Sequence, residues 1–386
     1  MYKTILSIES SCDETSAAVL QKEGNRITIL SNIISSSALL QSKYGGIIPE
    51  QAAREQLKAI IPVIKEALNK AMINDKRLTI NDIDALAITQ GPGLIGSLLV
   101  GVETQKVLAE IFNKPLIPVN HLIGHFYANW ITTQTNNTKG ASKLARAGNL
   151  CLSEASLIDE HDNIEHPNPS LPKFPCIGLL VSGGHSDLVL FKDHGQYEYL
   201  GGTRDDAAGE CFDKSARLLN LPYPGGPQIS KLAQDGNPKA YNLPKPMMDS
   251  GDYDFSFSGL KTSISNIVGQ VSENQTDKPL TINDKRNLCA SIEAAIIYPL
   301  VKKTVKAAKE YKVEQIIIAG GVAANQKLRT TFDKEIKDQN LNIKTFFPEP
   351  ILCTDNAAMI AAAAFFLEAT ENSFNLQANP NLSLAY

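Results

Sequence analysis

The chain has little of what marks the simplest protein classes. Among its 386 residues there is one tryptophan, and aromatics make up only 6%. Neither sign of charge dominates, since 37 Lys and Arg against 41 Asp and Glu leave a net −4. Such a balance carries no overall basic footprint, so a nucleic-acid surface must be local or come from a partner. The cysteines Cys12, Cys151, Cys176, Cys211, Cys289 and Cys353 are scattered, with no C-x-x-C pair. That excludes a zinc ribbon and a thioredoxin motif, and suits a reducing compartment. The longest apolar run, Ala357 to Leu367, is too short to cross a bilayer. MYKTILSIESS opens directly on a strand, with no apolar leader or Arg-rich transit stretch. These absences predict a cytoplasmic protein with no membrane partner. The phosphate-binding pattern G-x-x-x-x-G-K-[ST] is also missing, which excludes a P-loop.

What is present is an ordinary soluble composition, 43% hydrophobic and 20% charged. The length suggests about two and a half domains, ample for a core. Thr4 to Glu9 reads as a strand, Ser10 to Thr15 as a polar break, Ser16 to Leu20 and Asn25 to Ser31 as further strands. Residues 51 to 72 have helical periodicity, with Leu57, Ile60, Ile61, Ile64 and Leu68 on one expected core face. A strand from Ile83, the turn Gly91-Pro92-Gly93, a helix from about Ile95 to Phe112, a strand at Leu116 to Val119 and a helix from about His121 to Trp130 follow. Thr132 to Pro172 is rich in Thr, Asn, Ser and Pro and has little periodicity, as expected of an insertion or linker. Beyond it the opening recurs: strand Cys176 to Ser182, turn Gly183-Gly184-His185, strand Ser186 to Phe191 and a third near Tyr197. Two copies of one α/β unit predict two lobes and a central cleft, the layout of the actin, heat-shock ATPase and sugar-kinase superfamily.

Four constellations could carry chemistry. His121 and His125 stand at i and i+4, where both imidazoles can reach one metal, although such histidines can also simply pack. The zincin protease pattern needs Glu after the first His; Leu122 is there instead. Asp355, in Thr354-Asp355-Asn356 before an apolar helix, reads first as an N-cap and second as a carboxylate completing a His₂Asp set. Glycine turns at Gly91-Pro92-Gly93, Ser182-Gly183-Gly184, Gly225-Gly226 and Gly320-Gly321 let backbone approach a nucleotide closely. Finally, Asp205 to Lys214 clusters acids near a helix start, where Asp213 could hold ribose hydroxyls or merely favour the helix dipole. Lys302, Lys306 and Lys309 form a stripe best read as a solvated face.

In order along the chain, ILSIESSCDETSAAV, YGGIIPEQAAR, GPGLIGSLLVG, PVNHLIGH, LLVSGGHS, DDAAGECFDKSARLL, YPGGP, DFSFSGLKT, AGGVAANQKLR and CTDNAAMIA resemble the TsaD-type family of tRNA adenosine threonylcarbamoyltransferases, once described as sialoglycoproteases. The DDAAGE, FDK and YPGGP forms are those of the bacterial branch. The resemblance covers nearly the whole chain outside the insertion. It implies a two-lobed fold, with an N-terminal lobe at 1–131 joined by a C-terminal helix at about 355–386, an insertion at 132–173 and a second lobe at 174–354. It implies transfer of threonylcarbamoyl from threonylcarbamoyl-adenylate to N6 of the adenosine 3′ to the anticodon, position 37, in tRNAs reading A-starting codons, with release of AMP. The family's metal ligands fall on His121, His125 and Asp355, for one divalent ion, iron foremost and zinc or magnesium as alternatives. Its adenylate contacts fall on Leu180, Val181, Ser182, Gly183, Gly184, Asp213, Gly226 and Asn325, and its acidic first loop on Asp13 and Glu14, the catalytic candidates. Implied partners are tRNA, a shorter non-catalytic paralogue pairing through the N-terminal lobe, and a small P-loop ATPase. The alternatives are a superfamily ATPase or carbamoyltransferase with another acceptor, and a non-catalytic scaffold paralogue. The chain departs from the family pattern at Ile123, where Glu is usual, at Gln56 for His, at Gln90 for a small residue and at Glu293 for Gln.

Overall fold

Thr4–Glu9 forms β1, a six-residue strand buried along its whole length. Its apolar, β-branched composition suits a central strand covered on both faces. A computed structural model describes residues 2–37, 41, 47–134, 171–274 and 280–385. The expected insertion lies for the most part outside these. The chain divides into two compact units, Met1–Leu171 with Thr354–Tyr386, and Pro172–Cys353.

In unit 1, β1 pairs antiparallel with β2 (Glu14–Glu23), and β2 with β3 (Arg26–Ser36). After helix α1 (Pro49–Lys70) and a small hairpin of β4 (Met72–Ile73) and β5 (Lys76–Arg77), β6 (Ala85–Gly91) joins the other edge of β1 in parallel. Helix α2 (Ile95–Phe112) leads to β7 (Leu116–Asn120), parallel to β6, then to the short helix α3 (His121–Tyr127) and the edge strand β8 (Thr133–Gln134). Proline at N1 starts α1, and Asn113 in the left-handed region ends α2. The core joins Leu6, Ile8, Val19, Ile60, Val63, Ile64 and Val102. Leu57 and Ile61, expected there, instead face outward, Leu57 at 69% exposure. The buried stripe of α1 is the one through Ala52, Gln56, Ala59, Ile60, Val63 and Ala67.

Unit 2 repeats the pattern with β9 (Cys176–Val181), β10 (Ser186–Asp193) and β11 (Gln196–Gly202) antiparallel in turn, and β12 (Gln315–Ala319) and β13 (Lys344–Phe346) parallel on the far side of β9. Its helices are α4 (Ala208–Leu218), α5 (Gly225–Ala233), α6 (Ser258–Asn274), α7 (Ile282–Glu310), α8 (Gln326–Asp338) and α9 (Pro350–Cys353). A capping box of Thr281 and Asp284 starts α7. The lysine stripe of α7 is engaged locally, Lys302 with Glu335 and Lys309 with Gln339. Sheet 1 runs β7-β6-β1-β2-β3-β8 and sheet 2 runs β11-β10-β9-β12-β13, so one strand plan is used twice. The chain then returns to unit 1 as α10 (Ala357–Ala364), every residue of it buried. The helix expected over about 355–386 stops there, because the apolar run gives way to the polar stretch from Glu368 through Pro380.

Candidate functional site

Asn120 ends β7 and caps α3, its side chain accepting from Leu122 N at 2.8 Å. That cap fixes where α3 begins, so His121 occupies its first turn and His125 the next, on one face. Gly124 lies between them because a Cβ there would come within 2.8 Å of Ile360 on α10. The close packing of α3 on α10 brings Asp355 to the histidines. The cap of α10 is Asn356, which accepts from Met359 N at 3.1 Å, so Asp355 is not spent on capping. Its Oδ1 lies 3.5 Å from His121 Nε2 and 3.2 Å from His125 Nε2. One ligand atom from each residue falls within 4.8 Å of the others. His125 Nε2 is buried and, among the described residues, has no partner in hydrogen-bond geometry despite that short distance. Two imidazole nitrogens and a carboxylate oxygen, one nitrogen left without a hydrogen bond, fit a divalent transition metal.

Glu9, absent from the expected site, completes this cluster. Its side chain is 1% exposed at the end of β1, and its Oε2 lies 3.1 Å from His121 Nδ1. Ser11 N donates to Oε1 at 2.6 Å, and Thr89 Oγ1 donates to Oε2. Burial alone would raise the Glu9 pKa, but the charge and hydrogen bond of His121 hold it lowered. For His121, burial pulls down and Glu9 with Asp355 pulls up more strongly, to about 9. His125 is held low chiefly by burial, which together with the His121 charge outweighs the upward pull of Asp355 and Glu9. A carboxylate on Nδ1 leaves Nε2 of His121 as the nitrogen open to a metal. The signal available in the sequence was an acid ending a mostly apolar strand, where a carboxylate is rarely buried without a partner.

The acidic first loop is held from beneath. Gln56 Nε2 donates to the carbonyls of Cys12 at 3.0 Å and Glu14 at 2.9 Å, and Ser97 Oγ donates to Cys12 O at 2.9 Å. Gln56 therefore acts as a two-pronged clamp on the loop. Asp13 and Glu14 are adjacent carboxyls; burial first, then Asp13, pushes the Glu14 pKa well above the ordinary range. Ile123 sits two positions from His121, roughly 200° around the helix, so no side chain there faces the cluster.

In unit 2, Leu180 and Val181 are fully buried in β9, where they carry the turn that follows. Asp213 Oδ1 accepts from Gly225 N at 2.7 Å, tying α4 to the start of α5 beside Gly226. Burial raises the Asp213 pKa despite that bond. Asn325 caps α8 through Leu328 N at 2.9 Å, while its Nδ2 donates to Ser230 Oγ and Glu293 Oε1, both at 2.8 Å. Glu293 Oε1 thus accepts from Asn325 Nδ2 and helps fix the orientation of that amide.

A family model described as TsaD, tRNA N6-adenosine threonylcarbamoyltransferase, matches residues 28–149 and 138–362. A relative of that name from Symbiobacterium thermophilum is 45% identical over 382 residues, 98% of this chain and 96% of its own. The chain belongs to the TsaD family. Relatives with the same name from Clostridium kluyveri and Listeria monocytogenes are 44% and 42% identical, each over 98% of this chain and, respectively, 97% and 96% of their own. Among solved structures, T. kodakarensis HypF is similar in fold, with a TM-score of 0.53 and 12% identity over 94% of this chain. The chain spans 47% of that protein, and the likeness concerns fold alone. The two-sheet α/β architecture agrees with family membership. No helix among the described residues is long and apolar enough to cross a membrane.

Proposed function

We propose that this chain transfers the threonylcarbamoyl group from threonylcarbamoyl-adenylate to N6 of adenosine 37 in tRNAs reading A-starting codons, releasing AMP. The observation that carries the reading is the His121, His125 and Asp355 cluster on a chain 45% identical to a transferase of that name. His121, His125 and Asp355 would hold one divalent metal, iron foremost, and such an ion supplies charge stabilisation to oxygens of the intermediate. The chain's own groups do the rest. The Ser182–Gly184 turn, Asp213, Gly226 and Asn325 bind the adenylate, with Leu180 and Val181 supporting the turn. The N6 amine attacks the carbamoyl carbon, the C–O bond to phosphate breaks, and AMP leaves with the electron pair. No protein nucleophile is needed, because the mixed anhydride is already activated; orientation of the amine supplies much of the rate. Asp13 accepts the amine proton, and Glu14 holds Asp13 in place.

Partner pairing belongs to the same proposal. Leu57 and Ile61 on α1 and Leu99, Val107 and Ile111 on α2 are exposed apolar side chains, Ile111 at 67%. Both stripes lie in unit 1, and the pattern fits docking of a shorter paralogue through this lobe. A small P-loop ATPase completes the assembly, in the cytoplasm. The test is a transfer assay with threonylcarbamoyl-adenylate, unmodified tRNA and the bacterial partners. The wild type should yield modified adenosine, and the His121→Ala/His125→Ala variant should lose about a thousandfold in rate. No product from the wild type, where another family member succeeds, would point to a different acceptor or a scaffold.

A further inference from the structure

The turn between β9 and β10 ends on His185, a residue with no role so far. Ser182 N donates to His185 O at 2.8 Å, and His185 N donates to Ser182 Oγ at 3.1 Å, so the four residues form a closed loop. The imidazole is not left to rotate. Its Nδ1 lies 3.1 Å from Asp187 Oδ2, and Tyr199 OH donates to Asp187 Oδ1 at 3.0 Å. The Asp187 side chain is 12% exposed and that of His185 36%, so the relay runs from the interior to the surface. Gly202, opposite Asp187 in the β10–β11 register, keeps room for it: a Cβ there would come within 2.3 Å of Asp187 Oδ1 and 2.1 Å of Tyr199 OH. Burial, and then Asp187, holds the Tyr199 hydroxyl above its ordinary range, so it remains a donor. The Asp187 contact on Nδ1 fixes the ring so that Nε2 turns outward. That nitrogen has no partner among the described residues.

The glycines of the loop add a second observation. Both are exposed, and a Cβ on Gly183 or Gly184 would meet nothing within 4 Å. Neither has a positive φ. The fold therefore does not need glycine at either position, in contrast to Gly209 behind the loop, whose Cβ would come within 2.5 Å of Ser182 O. The Gly183 and Gly184 N–H groups have no acceptor among the described residues. Two free N–H donors, open space above them and an outward imidazole nitrogen form an anion-binding set.

We propose that His185 Nε2, held by Asp187 and Tyr199, contacts the phosphate of the adenylate and stabilises it as it leaves. This rests on the reading that the Ser182–Gly184 turn binds the adenylate. As the N6–carbamoyl bond forms and the carbamoyl C–O bond breaks, the electron pair passes to a phosphate oxygen. With a proton on each ring nitrogen, one toward Asp187 and one toward the phosphate, His185 donates from Nε2 to that oxygen and keeps its proton, while the amine proton goes to Asp13. Asp187 and Tyr199 are positioning residues.

The test is calorimetric titration of the 386-residue chain with AMP and, separately, with adenosine, which lacks the phosphate. The wild type should prefer AMP. His185→Ala should weaken AMP binding by about ten- to a hundredfold and leave adenosine binding unchanged. In the transfer assay the same variant should lose kcat more than KM. His185→Gln, which returns an N–H near the Nε2 position, should recover part of the AMP preference, a rescue that a packing role would not give. Tyr199→Phe should lower the preference less than His185→Ala. An AMP preference unchanged in His185→Ala, or equal losses for AMP and adenosine, would overturn the inference and leave the adenylate reading standing. A wild-type chain that binds neither compound would overturn the reading and the inference together.

Discussion

The two units use one strand plan, yet their first turns are opposites. In unit 1 the β1–β2 turn is tucked inward: Ser10, Ser11 and Asp13 are buried, and Gln56 and Ser97 grip the Cys12 and Glu14 carbonyls. In unit 2 the β9–β10 turn is exposed glycine whose N–H groups have no acceptor among the described residues. The first turn presents carboxylates, whose charge must be held in place by neighbours. The second presents donors and room, which an anion can occupy. A duplicated scaffold thus gives two ends of opposite electrostatic character without changing the sheet beneath them.

The sharpest way to break this comparison is to remove the carboxylate from the inward turn. Asp13→Ala should cut single-turnover transfer by about a hundredfold or more, the range of a lost proton acceptor, while adenosine and AMP still bind. Full single-turnover activity would remove Asp13 from catalysis. Next comes Glu9→Gln, which keeps the shape and removes the charge behind His121. Metal affinity, read by titration and elemental analysis of the protein, should fall roughly 10- to 100-fold. An unchanged affinity would make Glu9 a core residue only.

The comparison is sharpened by equal substitutions at unequal glycines. Gly124→Ala pushes a Cβ into Ile360 and should cost about 1–3 kcal/mol in denaturant unfolding. Gly183→Ala meets nothing and should stay within about 0.5 kcal/mol. Similar losses at both would contradict the open turn. The smallest effect is expected from Glu14→Gln. A carboxyl whose folded pKa is raised binds more protons in the folded state, so stability falls as pH climbs above 4.5. The Gln variant should flatten that decline and melt slightly higher near neutral pH, with reduced transfer.

Much of this was legible in the residues themselves. β1 and α2 follow their patterns to the residue, because a buried β-branched run and a long apolar helix leave few other options. The pairing of His121 with His125 is written in their spacing. Three things were not legible. Asp355 reads as a cap until Asn356 is seen to fill that role. Leu57 and Ile61 continue the apolar stripe of α1, and periodicity does not distinguish a face for the core from one left outside. Glu9 hides inside a strand pattern because alternation says nothing about an acid with a buried partner.

α10 has a consequence for the order in which the protein can be made. All of Ala357–Ala364 is buried among β1, β2, β3 and α3, yet the ribosome reaches it only after the whole of unit 2. A nascent chain halted before residue 355 carries both histidines but lacks their carboxylate and the helix that seals the sheet. The first unit begun is therefore the last one finished, and a prematurely terminated chain is built without the third member of the candidate metal-binding group.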